Sequence, residues 1–184
     1  MMNSYQRKSS TTSGKIYFWT ATIHKWQHLL ADDSNKQLIV DYLKKLSEDG
    51  LITIYGFVIM PNHIHIVWEQ HKLNGKETAF GSFLKYTAHR LLKKLKERGG
   101  ASEYKVNAAN KQYQVWQRDS LAVEIYSREV AVQKLDYIHA NPVTRIWRLA
   151  KDDINYYYST ARFYETGVDD FGFLKDIYLL FDGE

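Results

Sequence analysis

Cysteine is absent from this chain of 184 residues. Disulfide bonds and thiolate metal sites are therefore excluded, and any metal ion must be bound by histidine, carboxylate or amide groups. No apolar run approaches the length of about 18 residues that a membrane-spanning helix requires. The polar N-terminus also lacks the apolar stretch of a secretory signal. These absences favour a protein of a reduced, cytoplasmic setting without a membrane partner.

Charge is unevenly distributed along the chain. Residues 1–150 contain 22 Lys and Arg against 13 Asp and Glu, a net charge of +9. Residues 151–184 contain three Lys and Arg against eight Asp and Glu, a net charge of −5. A basic surface is typical of proteins that bind nucleic acid, although ordinary solvated lysines and arginines explain the charge equally well at this point.

Hydrophobic periodicity predicts a mixed fold. β-Branched and aromatic runs indicate strands, and apolar residues at helical spacing indicate helices. The predicted strands are 16–24, 51–59 and 63–68, with a fourth within 113–126, and the predicted helices are 34–49, 78–98 and 128–140. The order βαββαβ predicts a ferredoxin-like α+β fold, an antiparallel sheet with two helices on one face. The additional C-terminal helix, 128–140, must then pack elsewhere, and the bare sheet face is available to it.

Three units are expected along the chain. Residues 1–14 are rich in Ser and Thr and predict a flexible N-terminal arm. Residues 15–164 form the predicted domain. Residues 165–184 form an acidic C-terminal appendage.

The triplet His63-Ile64-His65 lies in a predicted strand. Side chains alternate across a strand, so both imidazoles project from one face while Ile64 projects from the other. Two neutral imidazoles two residues apart can share one divalent metal ion. The alternative is a pair of half-exposed strand histidines without a ligand.

Tyr137 and Asn141 are four residues apart at the end of a predicted helix. That spacing places them on one side of the helix. The alternative is a core tyrosine followed by a capping asparagine. Pro142 also disfavours helical geometry in the residue before it, so Asn141 could leave the helix.

Taken together, these residues suggest one site with a definite chemistry. Two imidazoles and one carboxamide are neutral ligands, so a bound divalent ion keeps its full charge and can polarise a phosphodiester. A tyrosine beside that ion could attack phosphorus, release a 3′-hydroxyl and leave a 5′-phosphotyrosine ester. The ester conserves the bond energy, so the strand can be rejoined.

The segments MPNHIHIV, VWQRD and KLDYIHANPV, in that order, resemble the single-tyrosine HUH transposases, in particular the REP-associated tyrosine transposases of bacteria. The likeness spans residues 16–164. It implies Tyr137 as the catalytic nucleophile and His63, His65 and Asn141 as ligands of Mg²⁺ or Mn²⁺. It also implies nicking and rejoining of single-stranded DNA, guided by recognition of a hairpin.

The resemblance leaves the assembly open. Family members include monomers and also dimers in which the tyrosine helix of one subunit serves the other. A homodimer with residues 128–141 acting in trans is therefore one alternative, and a monomer acting in cis is the other.

Several further residues are candidates for DNA binding. Basic side chains on the second predicted helix and one beyond it could contact phosphates: Lys85, Arg90, Lys93, Lys94 and Arg118. Trp116, Trp147 and the tyrosines at 156–158 could stack on bases. Tyr126 is the main rival nucleophile.

Other functions fit the same residues. A non-catalytic regulator domesticated from a transposase would bind hairpin DNA and form no covalent adduct. A replication initiator or relaxase uses similar ligands, but such proteins are usually larger. A metal phosphohydrolase would release its product without attachment to tyrosine.

Overall fold

The computed structural model describes residues 11–118 and 120–182, so most of the predicted arm, residues 1–10, lies outside the described residues. The strands are β1 (Ile16–Thr22), β2 (Ile52–Ile59), β3 (His63–Gln70), β4 (Lys105–Ala108), β5 (Lys111–Tyr113) and β6 (Leu121–Ile125). The α-helices are α1 (Asp33–Glu48), α2 (Ala79–Glu97), α3 (Arg128–Ala140) and α4 (Ala161–Thr166).

The main sheet has the order β2-β3-β1-β6, and its neighbouring strands are antiparallel. Helices α1 and α2 pack on one face, and α3 packs on the opposite face. The predicted ferredoxin-like α+β fold with an additional helix is therefore confirmed. We refer to the two sides of the sheet as the α1/α2 face and the α3 face.

The fourth strand lies within 113–126, as predicted, and occupies only the end of that stretch. Only Leu121–Ile125 pairs with β1, and β4 and β5 form a separate hairpin before it. Trp116 makes one isolated bridge to Ile23 before the chain leaves the sheet. The polar segment Gln117-Arg118 interrupts the apolar pattern there, which explains why one long strand does not form.

The α1/α2 face carries the larger core. The rings of Trp19 and Trp68 lie 5.2 Å apart between their centroids, and Phe83 meets Trp19 edge-to-face at 5.6 Å. Ile64 and Ile66 of β3 belong to the same core. Burial of these large apolar side chains is the main stabilising contribution of this face.

The α3 face depends on a close approach at Gly56. A β-bulge in β2 between Ile54 and Gly56 turns Gly56 toward α3, opposite Val67. A Cβ atom at Gly56 would lie 2.6 Å from Leu135 Cδ2 and 3.3 Å from Ile138 Cδ1. The absence of a side chain thus lets α3 pack tightly against the sheet.

The C-terminal segment closes the outer edge of β2. The Lys175 N–H donates to the Ile54 carbonyl at 3.0 Å, and the Thr160 N–H donates to the Phe57 carbonyl at 3.0 Å. Phe171 is buried against Phe57, with ring centroids 4.8 Å apart. The acidic segment therefore packs on the domain over the residues described. In the described part of the chain, no helix has the length and apolarity to cross a membrane.

Candidate metal and tyrosine site

The two histidines lie on the α3 face of β3. His63 pairs with Thr22 of β1, and His65 pairs with Thr20. Since Ile64 points into the core of the α1/α2 face, the alternation brings both imidazoles to the same side. Their ring centroids are 4.8 Å apart.

The ring of His65 is held by two neighbours. Its Nδ1 lies 2.7 Å from the Thr20 hydroxyl oxygen, and its plane stacks on Phe18 at 5.3 Å. Nε2 of His65 is buried and has no hydrogen-bond partner among the described residues. A buried ring nitrogen without a partner is costly, and a bound metal ion would satisfy it. We assign the ring proton to Nδ1, donating to Thr20, which leaves the lone pair on Nε2.

The ring of His63 is likewise held by a hydrogen bond at its Nδ1. Its Nδ1 lies 2.7 Å from Asn62 Oδ1, while Asn62 Nδ2 donates to the Trp26 carbonyl at 3.4 Å. Because Nδ2 is directed at a carbonyl, the oxygen of Asn62 faces His63 and accepts from Nδ1–H. Nε2 is then the ring nitrogen available to a ligand, as in metal sites whose histidines donate their other N–H to an acceptor.

Burial keeps both imidazoles neutral. It lowers the pKa of His63 to about 4, although contact with Asn141 acts in the opposite direction. Burial, followed by the proximity of His63, lowers the pKa of His65 to about 3. At pH 7 both rings therefore hold the lone pairs that a metal ligand requires.

Tyr137 reaches this pair from α3. Ser127 caps the helix by accepting from the Val130 N–H, and Leu135 and Ile138 anchor it in the core. The Tyr137 ring centroid lies 5.3 Å from that of His65, within the same chain. Tyr137 is 52% exposed, so its phenol is accessible from solvent.

Asn141 stays in helical geometry, contrary to the expectation raised by Pro142. Its φ and ψ are −51° and −50°, and a 3-10 turn, Asn141–Val143, follows α3 directly. Proline is tolerated there because its missing N–H is not needed in the first turn. Asn141 Nδ2 donates to the Tyr137 carbonyl at 2.7 Å, so its oxygen is free to face His63.

These side chains share one cavity of about 570 Å³. Its polar lining comprises Thr20, Thr22, His63, His65, Lys134, Tyr137 and Asn141. Its apolar lining comprises Phe18, Trp26, Leu121, Ile146 and Trp147. Lys134 Nζ lies 5.1 Å from the centroid of the Phe18 ring and places a positive charge at the cavity.

The donor set fits a divalent ion. Within residues 11–118 and 120–182, no three His, Asp or Glu side chains come together as a metal-binding group. Two amides contact His63, and of these Asn141 lines the cavity whereas Asn62 does not, so Asn141 is the amide that could add a third ligand there. The unpaired Nε2 of His65 and the neutral state of both rings fit this role.

The predicted DNA-binding residues of α2 are not part of this cavity. Lys85, Arg90, Lys93 and Lys94 belong to a helix on the opposite side of the sheet. Lys85 is paired with Glu77 at 2.7 Å, and Lys93 lies 4.0 Å from Glu97. Their role in DNA binding stays a prediction.

Arg118 lies nearer to the site. It is exposed and follows Gln117, whose N–H donates to the Thr22 carbonyl at 2.7 Å. Thr22 lines the cavity, whereas Arg118 itself is not among the lining residues.

The rival nucleophile is remote. Tyr126 is 77% exposed and follows Ile125, which pairs with Ile16 at the far end of β1 from the histidines. Tyr126 is five residue steps beyond Leu121, which lines the cavity, and five steps of extended chain span about 17 Å at 3.3 Å per residue.

Of the aromatic candidates, two are buried, one lies at the cavity, and Tyr157 is 55% exposed outside the cavity. Trp116 is buried and donates to the Thr87 hydroxyl at 2.9 Å. Tyr156 is also buried, and its hydroxyl donates to the Ile59 carbonyl at 2.7 Å. Trp147 lies at the cavity, 5.9 Å from His63 between ring centroids.

Sequence reasoning missed the residues that orient the site. Thr20 and Asn62 fix the imidazoles, and Lys134 and Trp26 line the cavity. Lys134 precedes Tyr137 by three residues, and that helical spacing is a signal that could have identified it. Thr20 and Trp26 carry no such local signal, since only strand pairing and loop closure bring them to the histidines.

No protein-family model matches the chain, and no curated protein matches it. The fold is similar to that of a REP-associated tyrosine transposase solved in complex with a REP hairpin. The two chains are 20% identical, the TM-score is 0.60, and the match covers 96% of this chain and 93% of the other. This likeness agrees with the α+β fold and its four-stranded antiparallel sheet.

Proposed function

We propose that the protein nicks and rejoins single-stranded DNA through a covalent link to Tyr137, as a tyrosine transposase. The observation that carries this proposal is the position of the Tyr137 ring, whose centroid lies 5.3 Å from that of His65 in a cavity that His63 and Asn141 also line. An exposed phenol beside buried, neutral ligands is suited to attack on a phosphodiester held between them.

His63, His65 and Asn141 would hold a divalent ion, Mg²⁺ or Mn²⁺. When bound, the ion supplies positive charge that polarises the phosphodiester and offsets the charge that develops on its oxygens. Thr20 and Asn62 support it indirectly, because their hydrogen bonds direct the lone pairs of both rings.

In the proposed covalent step, Tyr137 attacks one phosphodiester of the DNA. The Tyr137 oxygen forms a bond to phosphorus, and the bond between phosphorus and the 3′-oxygen breaks. The phenol loses its proton, and the released 3′-oxygen gains one. Lys134 places its ammonium at the cavity, where it can bind a non-bridging oxygen. Attack by a 3′-hydroxyl on the phosphotyrosine ester reverses the step and rejoins a strand.

Charge and fold support the proposed substrate class. Residues 1–150 carry a net charge of +9, which favours binding to a polyanion. The similar transposase was solved with a DNA hairpin, and we propose a hairpin-bearing single strand as the substrate here. The tyrosine and the three proposed ligands line one cavity of a single chain, which supports attack in cis.

The proposal is tested by formation of a covalent protein–DNA adduct. End-labelled single-stranded oligonucleotides with an imperfect hairpin and randomised flanks would be incubated with Mg²⁺ or Mn²⁺ and resolved on a denaturing gel. We expect an adduct with the wild-type protein and with the control Tyr126→Phe. We expect none with Tyr137→Phe and none after chelation of the metal.

Other outcomes would assign other functions. An adduct formed by Tyr137→Phe would show that the nucleophile is wrong. Hairpin binding without an adduct in either metal would indicate a non-catalytic regulator. Cleaved product without attachment to tyrosine would indicate a phosphohydrolase.

A further inference from the structure

We propose that the apolar half of the cavity is a nucleobase pocket, formed by Trp26, Ile146 and Trp147. It holds one unpaired base of the strand, next to the phosphodiester that Tyr137 attacks. The inference rests on the proposed function, whose substrate it specifies further: the nucleotide beside the cleaved bond must be single-stranded.

The first argument is the exposure of apolar surface. Ile146 is 88% exposed and Trp26 is 58% exposed, although both line the same cavity. The Trp26 and Trp147 rings lie 6.5 and 5.9 Å from His63 between centroids. A phosphodiester requires only the polar wall of the cavity. The apolar wall next to it suits a nucleobase, which is the flat and uncharged part of a nucleotide.

The second argument is the backbone. Among the described residues, the non-glycine residues with positive φ are Lys25, Trp26 and Arg148, at 52°, 58° and 47°. All three belong to the two segments that carry the pocket, 24–26 and 144–148. Left-handed geometry is unfavourable for such residues and is concentrated at functional sites. Hydrogen bonds hold the first segment in place, since the Trp26 N–H donates to Ile23 at 2.9 Å and its carbonyl accepts from Asn62.

The third argument is charge. Lys25, Arg145 and Arg148 are exposed cations of the same two segments, and residues 23–28 and 141–150 contain no acidic residue. Cations around aromatic rings are the usual composition of a surface that binds single-stranded nucleic acid, in which bases stack and phosphates are neutralised. A paired base is covered by its neighbours in a duplex, so the occupant must be unpaired.

The test uses the non-cleaving variant Tyr137→Phe without metal, so that binding is measured apart from cleavage. The probes are a fluorescein-labelled 12-mer of thymidine and a 12-mer of the same backbone that is abasic throughout, measured by fluorescence anisotropy at low salt. We expect the thymidine strand to bind about tenfold more tightly than the abasic strand, as one base–aromatic stack provides.

The variants then locate that difference. Trp26→Ala and, separately, Ile146→Ser should weaken binding of the thymidine strand several-fold and leave the abasic strand unchanged, while Trp26→Phe should retain most of the stacking. The control is Leu179→Ser, because Leu179 is 72% exposed in a short 3-10 helix beside the start of α3, away from the pocket.

Failure of this inference is distinguishable from failure of the proposed function. Suppose that the pocket variants leave the difference in affinity between the thymidine and abasic strands unchanged while the wild-type protein forms adducts. The nucleobase pocket is then contradicted, and the proposed cleavage chemistry is not. If the variants abolish the difference while the wild-type protein forms no adduct, the pocket stands and the chemistry is wrong.

Discussion

The two faces of the sheet are built on different principles. On the α1/α2 face, aromatic rings interlock and the buried Trp116 N–H is satisfied by Thr87. On the α3 face, two histidines are buried, Nε2 of His65 has no partner among the described residues, and a cavity of about 570 Å³ opens beside them. The sheet thus separates the larger core from the candidate site, because successive side chains of each strand point to opposite faces.

Substitution on the α1/α2 face should have the largest effect, and that effect should be on stability. We expect Trp19→Ala to lower the free energy of unfolding by about 3–5 kcal/mol, since it leaves a large cavity in a packed core. Guanidinium unfolding measures this loss. Mn²⁺ affinity of the folded protein should change little, although Phe18 and Thr20 flank the position. A loss of unfolding free energy below about 1 kcal/mol would contradict the assignment of the main stabilising core to the α1/α2 face.

On the α3 face, the main effect should be on the site. Thr20→Val removes the hydroxyl that lies 2.7 Å from His65 Nδ1 and keeps the shape of the side chain. We expect Mn²⁺ affinity, measured by calorimetry, to fall about 10- to 100-fold. Stability without metal should fall by only about 1 kcal/mol.

The matched control for that variant is Thr22→Val. Thr22 lies opposite His63 on the same strand face, and its hydroxyl makes no hydrogen bond to either histidine in the described structure. Equal losses of Mn²⁺ affinity in both variants would mean that Thr20 does not orient His65.

Gly56→Ala should lower both the stability of the fold and the formation of the adduct. The new Cβ would lie 2.6 Å from Leu135 Cδ2, the end of a side chain that can shift. We expect a loss of about 1–3 kcal/mol from overpacking, measured by denaturant unfolding. Adduct formation should fall further than stability alone explains, because α3 carries Tyr137.

A double-mutant cycle sharpens this prediction. Leu135→Ala should cost less in the Gly56→Ala background than in the wild-type protein, since it removes the contacting atom. Strict additivity of the two changes would show that the clash is relieved in another way.

The smallest effect is expected from the basic outer surface of α2. Arg90→Ala and Lys93→Ala should leave stability unchanged and weaken hairpin binding modestly, with the salt dependence of log Kd reduced by about one unit for each lost phosphate contact. Lys44→Ala on α1 is the control, because it is a similarly exposed lysine near a glutamate. Unchanged affinity in both test variants would restrict DNA binding to the α3 face.

Much of the fold was predictable from local patterns. Helix 128–140 is found with the predicted bounds, and α1 and α2 differ from theirs by one residue at each end. A strand does form within 113–126, as predicted, but it comprises only Leu121–Ile125, because pairing with β1 ends at Thr20 and Leu121. Sequence alternation shows which residues favour extended backbone, but it does not show where a partner strand stops.

The principal residues of the candidate site were predictable from the sequence, whereas the residues that orient them were not. His63 and His65 share a face because of their spacing, and Tyr137 and Asn141 share a helix side for the same reason. Thr20 is 45 residues from the histidine that it contacts. That relation depends on strand register, which no local motif encodes.

By itself, the sequence determined which side chains point the same way, because strand and helix periods act over a few residues. It also determined that a metal ion would meet nitrogen and oxygen ligands, since cysteine is absent. Only the tertiary structure decided that the helix face and the strand face meet within one chain. It also decided that burial holds both imidazoles neutral, because the distance to a partner and the exclusion of water arise from packing between segments far apart in the chain.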